Sequence, residues 1–211
     1  MKIDSSNALQ ILLLIGGLSL IPAILFTVTG FTRILIVLGF IRSALGTQNT
    51  PPNQVLVGIA LFLTLFVMAP TIGQIKKSAW EPLVHHQITT STAISRGQEP
   101  LREWMFKQTR NQDLSLFVSL AHAKTPKTRA DVPTYVLIPA FIMSELKTAF
   151  QIGFLIFLPF LIIDLIVSST LMSMGMIMLP PTFISLPFKI LLFVLVDGWD
   201  LITHSLVASF H

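Results

Sequence analysis

The 211-residue chain contains no cysteine, a single tyrosine and few charges: 14 Lys and Arg with 10 Asp and Glu, together 11% of the sequence. Without thiols there is no disulfide framework, no thiolate zinc site and no cysteine nucleophile, and the redox compartment stays open. The shortage of charge excludes more. Soluble domains carry about 25% Asp, Glu, Lys and Arg, so this chain cannot clothe the surface of an ordinary cytosolic enzyme. Disorder is excluded by what replaces the charge. Apolar residues make up 53% of the chain and mean hydropathy is +0.77, whereas disordered chains are poor in apolar residues. Low-complexity segments and a repeat period are also lacking.

The charges that are present are unevenly spread. Residues 76–134 hold nine Lys or Arg and five Asp or Glu, 14 of the 24, and the 152 flanking residues share the other ten. The chain therefore reads as an apolar block over 1–75, a polar middle over 76–134 and a second apolar block over 135–211. A basic excess of four in the middle, with no Lys/Arg cluster interleaved with aromatics, is not the footprint of a nucleic-acid binder.

The pattern is all-α. Leu9 to Ile41 carries one charge, Arg33; as one helix it would be roughly 50 Å long against a hydrocarbon core of about 30 Å, so a bend is expected, at Pro22 or Gly30. The polar turn Gly46 to Asn53 offers Asn53 as a cap for the next helix, Gln54 to Ile75, which Lys76 and Lys77 should end. Together these form an N-terminal hydrophobic hairpin. In the middle, Leu101, Trp104, Met105 and Gln108 fall at helical spacing, Leu114 to Ala121 repeats the pattern more weakly, and the Ser/Thr-rich Thr89 to Ser95 reads as a loop. The second block gives Val136 to Met143 leading into Ser144-Glu145-Leu146-Lys147, then Phe150 to Met172, a methionine-rich loop and a last stretch from Thr182, a C-terminal hairpin. Lys2 ahead of an apolar run suggests a signal peptide, but Asp4 and the lack of an Ala-x-Ala-like site argue against one.

Plain transmembrane helices in lipid fit poorly. Arg33, Asp164 and Lys189 each fall inside an apolar run, where a charge at a helix centre costs about 2.5–3.5 kcal/mol on insertion scales. Phe183 to Val196 is short for a span and has Lys189 in its middle. These charges should be buried against protein or line a watery path, and a chain this small is expected to draw on neighbouring subunits for their partners. Glu145, Asp164 and Asp197 could form a proton path, or each carboxylate could pair with Arg33, Lys147 or Lys189; pairing is the better reading.

Met172, Met174, Met176 and Met178 alternate with Ser173, Gly175 and Ile177. A period of two puts no stripe on a helix, and Gly175 with Pro180-Pro181 favours a loop. Polarisable, flexible methionines could seal a pore when one such loop comes from each subunit, or simply fill a core. The adjacent His85 and His86 diverge on a helix, and His122, His204 and His211 are isolated, so no metal site is expected. Signatures of nucleophilic or phosphate chemistry are missing as well, and no cofactor is expected.

Longer strings carry a resemblance. Phe31-Thr32-Arg33, Gly46-Thr47-Gln48, Thr50-Pro51-Pro52-Asn53-Gln54-Val55 and the run Phe62 to Pro70 resemble the FliP/SctR family of type III secretion export-gate subunits, in its flagellar branch. So do Pro139-Ala140-Phe141, Ser144 to Phe150, Ser185-Leu186-Pro187-Phe188-Lys189 and Val196-Asp197-Gly198-Trp199. The resemblance implies helical hairpins with a small periplasm-facing middle segment, assembling into a helical cone. It implies five copies together with FliR and FliQ subunits and other export-apparatus membrane proteins. The place would be the bacterial inner membrane and flagellar basal body, largely on the periplasmic side. Unfolded rod, hook and filament proteins would pass through the centre, so that the subunit is a conduit and not an enzyme. It further implies a pore constriction at Met174, Met176 and Met178, with Ile177 where many relatives carry methionine, and subunit-interface charges at Glu145, Lys189, Arg33 and Asp164, the first two pairing between neighbours. The chain also starts close to where relatives begin after signal cleavage. The alternative is a stand-alone ion or small-solute channel or transporter.

Overall fold

The computed structural model describes residues 16, 19, 21–47, 49–121, 126, 128–176 and 178–210. The start of the first apolar run at Leu9, together with Gln48, His122, Ile177 and His211, lies outside them. Among the described residues every regular element is helical, as the sequence pattern implies. In chain order these are α1 (Ile21–Val28), α2 (Phe31–Leu45) and α3 (Asn53–Ile75). A π-helical turn, Lys76–Trp80, leads into the single turn α4 (Glu81–Val84). Then come α5 (Thr90–Gln108), α6 (Asn111–Leu120), a 3₁₀ turn (Arg129–Asp131), α7 (Thr134–Ser173), α8 (Pro181–Leu195) and α9 (Gly198–Ala208).

The expected bend falls at Gly30 rather than at Pro22: α1 and α2 meet at 82°. Gly30 is required there by packing, because a Cβ on it would sit 2.6 Å from the Phe210 ring. At its other end α2 stops on Gly46, whose φ of 76° is left-handed and whose N–H donates to the Ser43 carbonyl at 3.0 Å.

Three local expectations are corrected. Asn53 is not the cap of α3. Pro52 holds that position in an extended conformation, its carbonyl accepting from the Val55 and Leu56 N–H groups, and Asn53 Oδ1 instead accepts from Arg42 Nη1. Lys76 and Lys77 do not end the helix either. Lysine is a good helix former, and the helical stretch runs over 32 residues from Asn53 to Val84, stopping beside His86 with its left-handed φ of 55°. Thr89 to Ser95 is not a loop: Thr89 accepts from the Thr92 N–H and starts α5 at Thr90, the usual work of a Thr ahead of a helix. The stretches Val136–Met143 and Phe150–Met172 also prove to be one 40-residue helix, α7, which carries Pro139 and Pro159 inside it.

The core lies where α2 meets α7. Phe31, Ile34, Val37, Leu38 and Ile41 follow helical spacing along one side of α2 and are buried with Leu137, Phe141 and Ala149 of α7. The close approach is set by Gly153, where a Cβ would come within 2.4 Å of the Phe40 ring; Phe40 in turn meets Phe150 edge-on at 5.4 Å. Along α3 and α7 the outer surface is apolar instead of charged, with Phe62, Phe66, Phe154 and Leu155 all more than half exposed. The stretch Asn53–Val84 and helix α7 are each long and apolar enough to cross a membrane. Two bent pairs, α1/α2 and α8/α9 (65°), raise that number to four if each counts as one span.

Candidate pore loop and paired charges

The methionine-rich segment is a loop, and its backbone shows why. Helix α7 ends at Ser173; the Gly175 N–H donates to the Met172 carbonyl and the Met176 N–H to the Leu171 carbonyl, both at 3.0 Å, with Gly175 left-handed at φ 76°. This two-bond closure around a left-handed glycine ends a helix sharply. Pro180, extended, then precedes Pro181 at the start of α8. The methionines are not core filler in the protomer. Met174 is 67% exposed, Met176 40% and Met178 97%, so three flexible thioethers project from the turn between α7 and α8.

The charges that lipid could not hold have partners within the same chain. Arg33, placed on α2 one turn past the bend, is buried with Glu145 of α7. Its Nε donates to Glu145 Oε2 at 2.9 Å and its Nη2 to Oε1. The remaining donors are also used: Nη2 to Gln108 Oε1 at 3.0 Å, and Nη1 to the Ser209 carbonyl at 2.8 Å and its hydroxyl at 3.1 Å. A planar fork with five donors suits this set in a way that a lysine ammonium could not.

Asp164 and Lys189 form the second pair. Lys189 Nζ donates to Asp164 Oδ2 at 2.5 Å and Ser185 Oγ to Asp164 Oδ1 at 2.6 Å, so one carboxylate on α7 holds two successive turns of α8. Glu145 and Lys189 therefore have different partners inside the protomer. No shared hydrogen-bond chain links Glu145, Asp164 and Asp197 among the described residues.

A third cluster involves Asp113, which sequence reasoning passed over. It is 1% exposed at the first turn of α6, and accepts from Ser144 Oγ at 2.7 Å and from Lys147 Nζ. Ser144 in turn accepts from the Arg110 N–H at 3.0 Å. Burial pushes the Asp113 carboxyl up, but the Lys147 and Ser144 hydrogen bonds and the Lys147 and Arg110 charges outweigh it and hold it below its usual value of 3.8. The available signal was an acidic residue in a helix first turn, where the unpaired N–H groups favour negative charge. Among the described residues no group of three or more His, Asp or Glu is placed to hold a metal ion.

The FliP family model matches residues 14–206. Over 205 residues the chain is 57% identical to the flagellar biosynthetic protein FliP of Bacillus subtilis (strain 168), spanning 97% of this chain and 93% of that one. Against flagellar biosynthetic protein FliP of Pectobacterium carotovorum subsp. carotovorum it is 54% identical over 204 residues, 97% of this chain and 79% of the relative. The same-named protein of Borreliella burgdorferi is 52% identical over 206 residues, 96% of this chain and 81% of its own.

Proposed function

The chain belongs to the FliP family, and from that premise we propose that it works as a core subunit of the flagellar type III protein export gate. The observation that carries the reading is the match of nearly the whole chain to flagellar relatives, both apolar blocks included. Unfolded rod, hook and filament proteins are its cargo, and they cross the bacterial inner membrane through the centre of an oligomer of five copies completed by FliR and FliQ. Most of that oligomer stands on the periplasmic side of the membrane, at the base of the flagellum. The subunit is a conduit and performs no reaction of its own.

Met174, Met176 and Met178 form the constriction. Their exposure at the α7–α8 turn supports this, since side chains already outside the protomer core can meet those of other copies around a central axis without unfolding anything. Thioethers are soft enough to close a pore to small ions and still give way to a passing polypeptide. The four interface charges act at the subunit contacts in two ways. Arg33 and Glu145 fix the contact face from inside the protomer, and Asp164 with Lys189 sets the angle of the α7–α8 hairpin.

The test is the native mass of the gently extracted protein, expressed with and without FliR and FliQ. A pentamer-based complex that gains mass with those partners is expected. A monomer or small homo-oligomer indifferent to them would overturn the gate and point to a stand-alone channel.

A further inference from the structure

Two bent helix pairs meet at one residue. Phe210, just past α9, lies against Gly30 at the 82° bend between α1 and α2, so closely that a single Cβ on Gly30 would be 2.6 Å from its ring. The Arg33 guanidinium stacks over the ring, 4.0 Å from its centroid, and Trp104 lies nearly parallel at 5.7 Å. The backbone is held as well. Gln108 Nε2 donates to the Phe210 carbonyl at 2.9 Å and Arg33 Nη1 to the Ser209 carbonyl at 2.8 Å. Phe210 is 6% exposed. Segments from α2, α5 and the α1/α2 bend thus close on two residues.

The α8/α9 pair to which those residues belong has a joint of its own. Asp197, with left-handed φ and ψ of 50° and 55°, makes the 65° turn between the helices. The Phe193 ring packs under the joint, so close to Gly198 that a Cβ there would lie 2.4 Å from it, and it meets Trp199 edge-on at 5.3 Å. An apolar groove of about 400 Å³, open to the surface and lined by Pro159, Phe160 and Ile202 among others, runs alongside between α7, α8 and α9. The α8 arm is fixed by Asp164, and the α9 arm by the grip on Ser209 and Phe210.

We propose that Ser209–Phe210 is a clasp that locks the α8/α9 bend to the α1/α2 bend, and that this clasp positions the hairpin carrying the methionine loop. The second half rests on the reading of that loop as the pore constriction; the first half does not. Phe210 and Arg33 are positioning residues here, acting through helix geometry and not on any cargo.

The chain has no cysteine, so the exposed pair Ile24→Cys and Asp200→Cys can carry two spin labels, one on α1 and one on α9, in complexes where labelled subunits are diluted with an excess of unlabelled, cysteine-free ones so that at most one copy per complex is labelled. One narrow interlabel distance is expected in the parent and its loss in Phe210→Ala. Gly30→Ala should cause the same loss by expelling the ring, and adding Phe210→Leu to Gly30→Ala should reverse much of it. Gly30→Ala alone serves if Phe210→Ala does not fold. A distance unchanged in whichever of Phe210→Ala and Gly30→Ala folds overturns the clasp.

Ion leak separates the two halves. Phe210→Ala should leak while Met174→Ala/Met176→Ala/Met178→Ala leaks with an unaltered interlabel distance. If the methionine variant leaks and Phe210→Ala stays tight, the positioning role is wrong and the gate stands. If the methionine variant does not leak, the constriction fails, and a distance lost in Phe210→Ala still upholds the clasp.

Discussion

Arg33 and Glu145, 112 residues apart in the chain, form a two-pronged ion pair in which the side chains are 2% and 1% exposed. Two charges enclosed this way hold α2 against α7, and each makes the other tolerable in an apolar interior. Removing one partner strands the other, at a cost of about 3–5 kcal/mol, whereas replacing both with apolar residues of similar volume costs far less.

Arg33→Met and Glu145→Leu should each lower stability in detergent by about 3–5 kcal/mol, with Arg33→Met/Glu145→Leu losing much less than the sum. Arg33→Lys should not rescue, since a point charge cannot fork. Charge reversal extends the test to assembly: after Glu145→Lys, the protomer geometry predicts better recovery of oligomer mass from Arg33→Glu than from Lys189→Glu. Chemical denaturation and native mass measurements read the two effects.

The methionine loop should behave in the opposite way. Met174, Met176 and Met178 are exposed, and surface substitutions of this kind stay within about 0.5 kcal/mol. Their combined change to Ala should leave protomer stability and complex mass unaltered while the membrane becomes leaky to small ions. A tight membrane in that variant would remove the constriction.

Gly153→Ala should destabilise by about 1–3 kcal/mol, the range for overpacking a filled interior, because the added methyl meets the Phe40 ring at 2.4 Å. Phe40→Leu should return part of the loss. Thermal unfolding of the two single variants and the double variant would show the coupling.

Acid should loosen the polar middle from α7. The Asp113 carboxyl lies below its usual 3.8 in the folded chain, so the stability it contributes is complete above that value and is lost as pH falls through the lower folded one. Asp113→Asn should therefore be less stable than the parent at neutral pH, and the gap should narrow as pH drops below about 3.8. A pH series of unfolding midpoints for both proteins tests the sign.

Much of this protein could be read along the chain. Periodicity and charge placement determined that it is all-α, in apolar and polar parts, and the run of methionines before Pro180-Pro181 determined a loop. Those are local properties, fixed by spacing, by a glycine that turns left-handed and by prolines that cannot continue a helix. Other features waited for the tertiary structure. Arg33 had three candidate carboxylates in the sequence, and only the contact of α2 with α7 chose Glu145; the contact of α7 with α8 gave Lys189 to Asp164. Nothing along the chain singled out Asp113, which gains its role only where α6 packs against Ser144 and Lys147. Gly30 could be seen as a breaker, but the reason it must be glycine is Phe210, at the far end of the described chain. Partner choice among distant charges depends on which helix faces pack together, and that is a property of the whole fold, not of any stretch of residues within it.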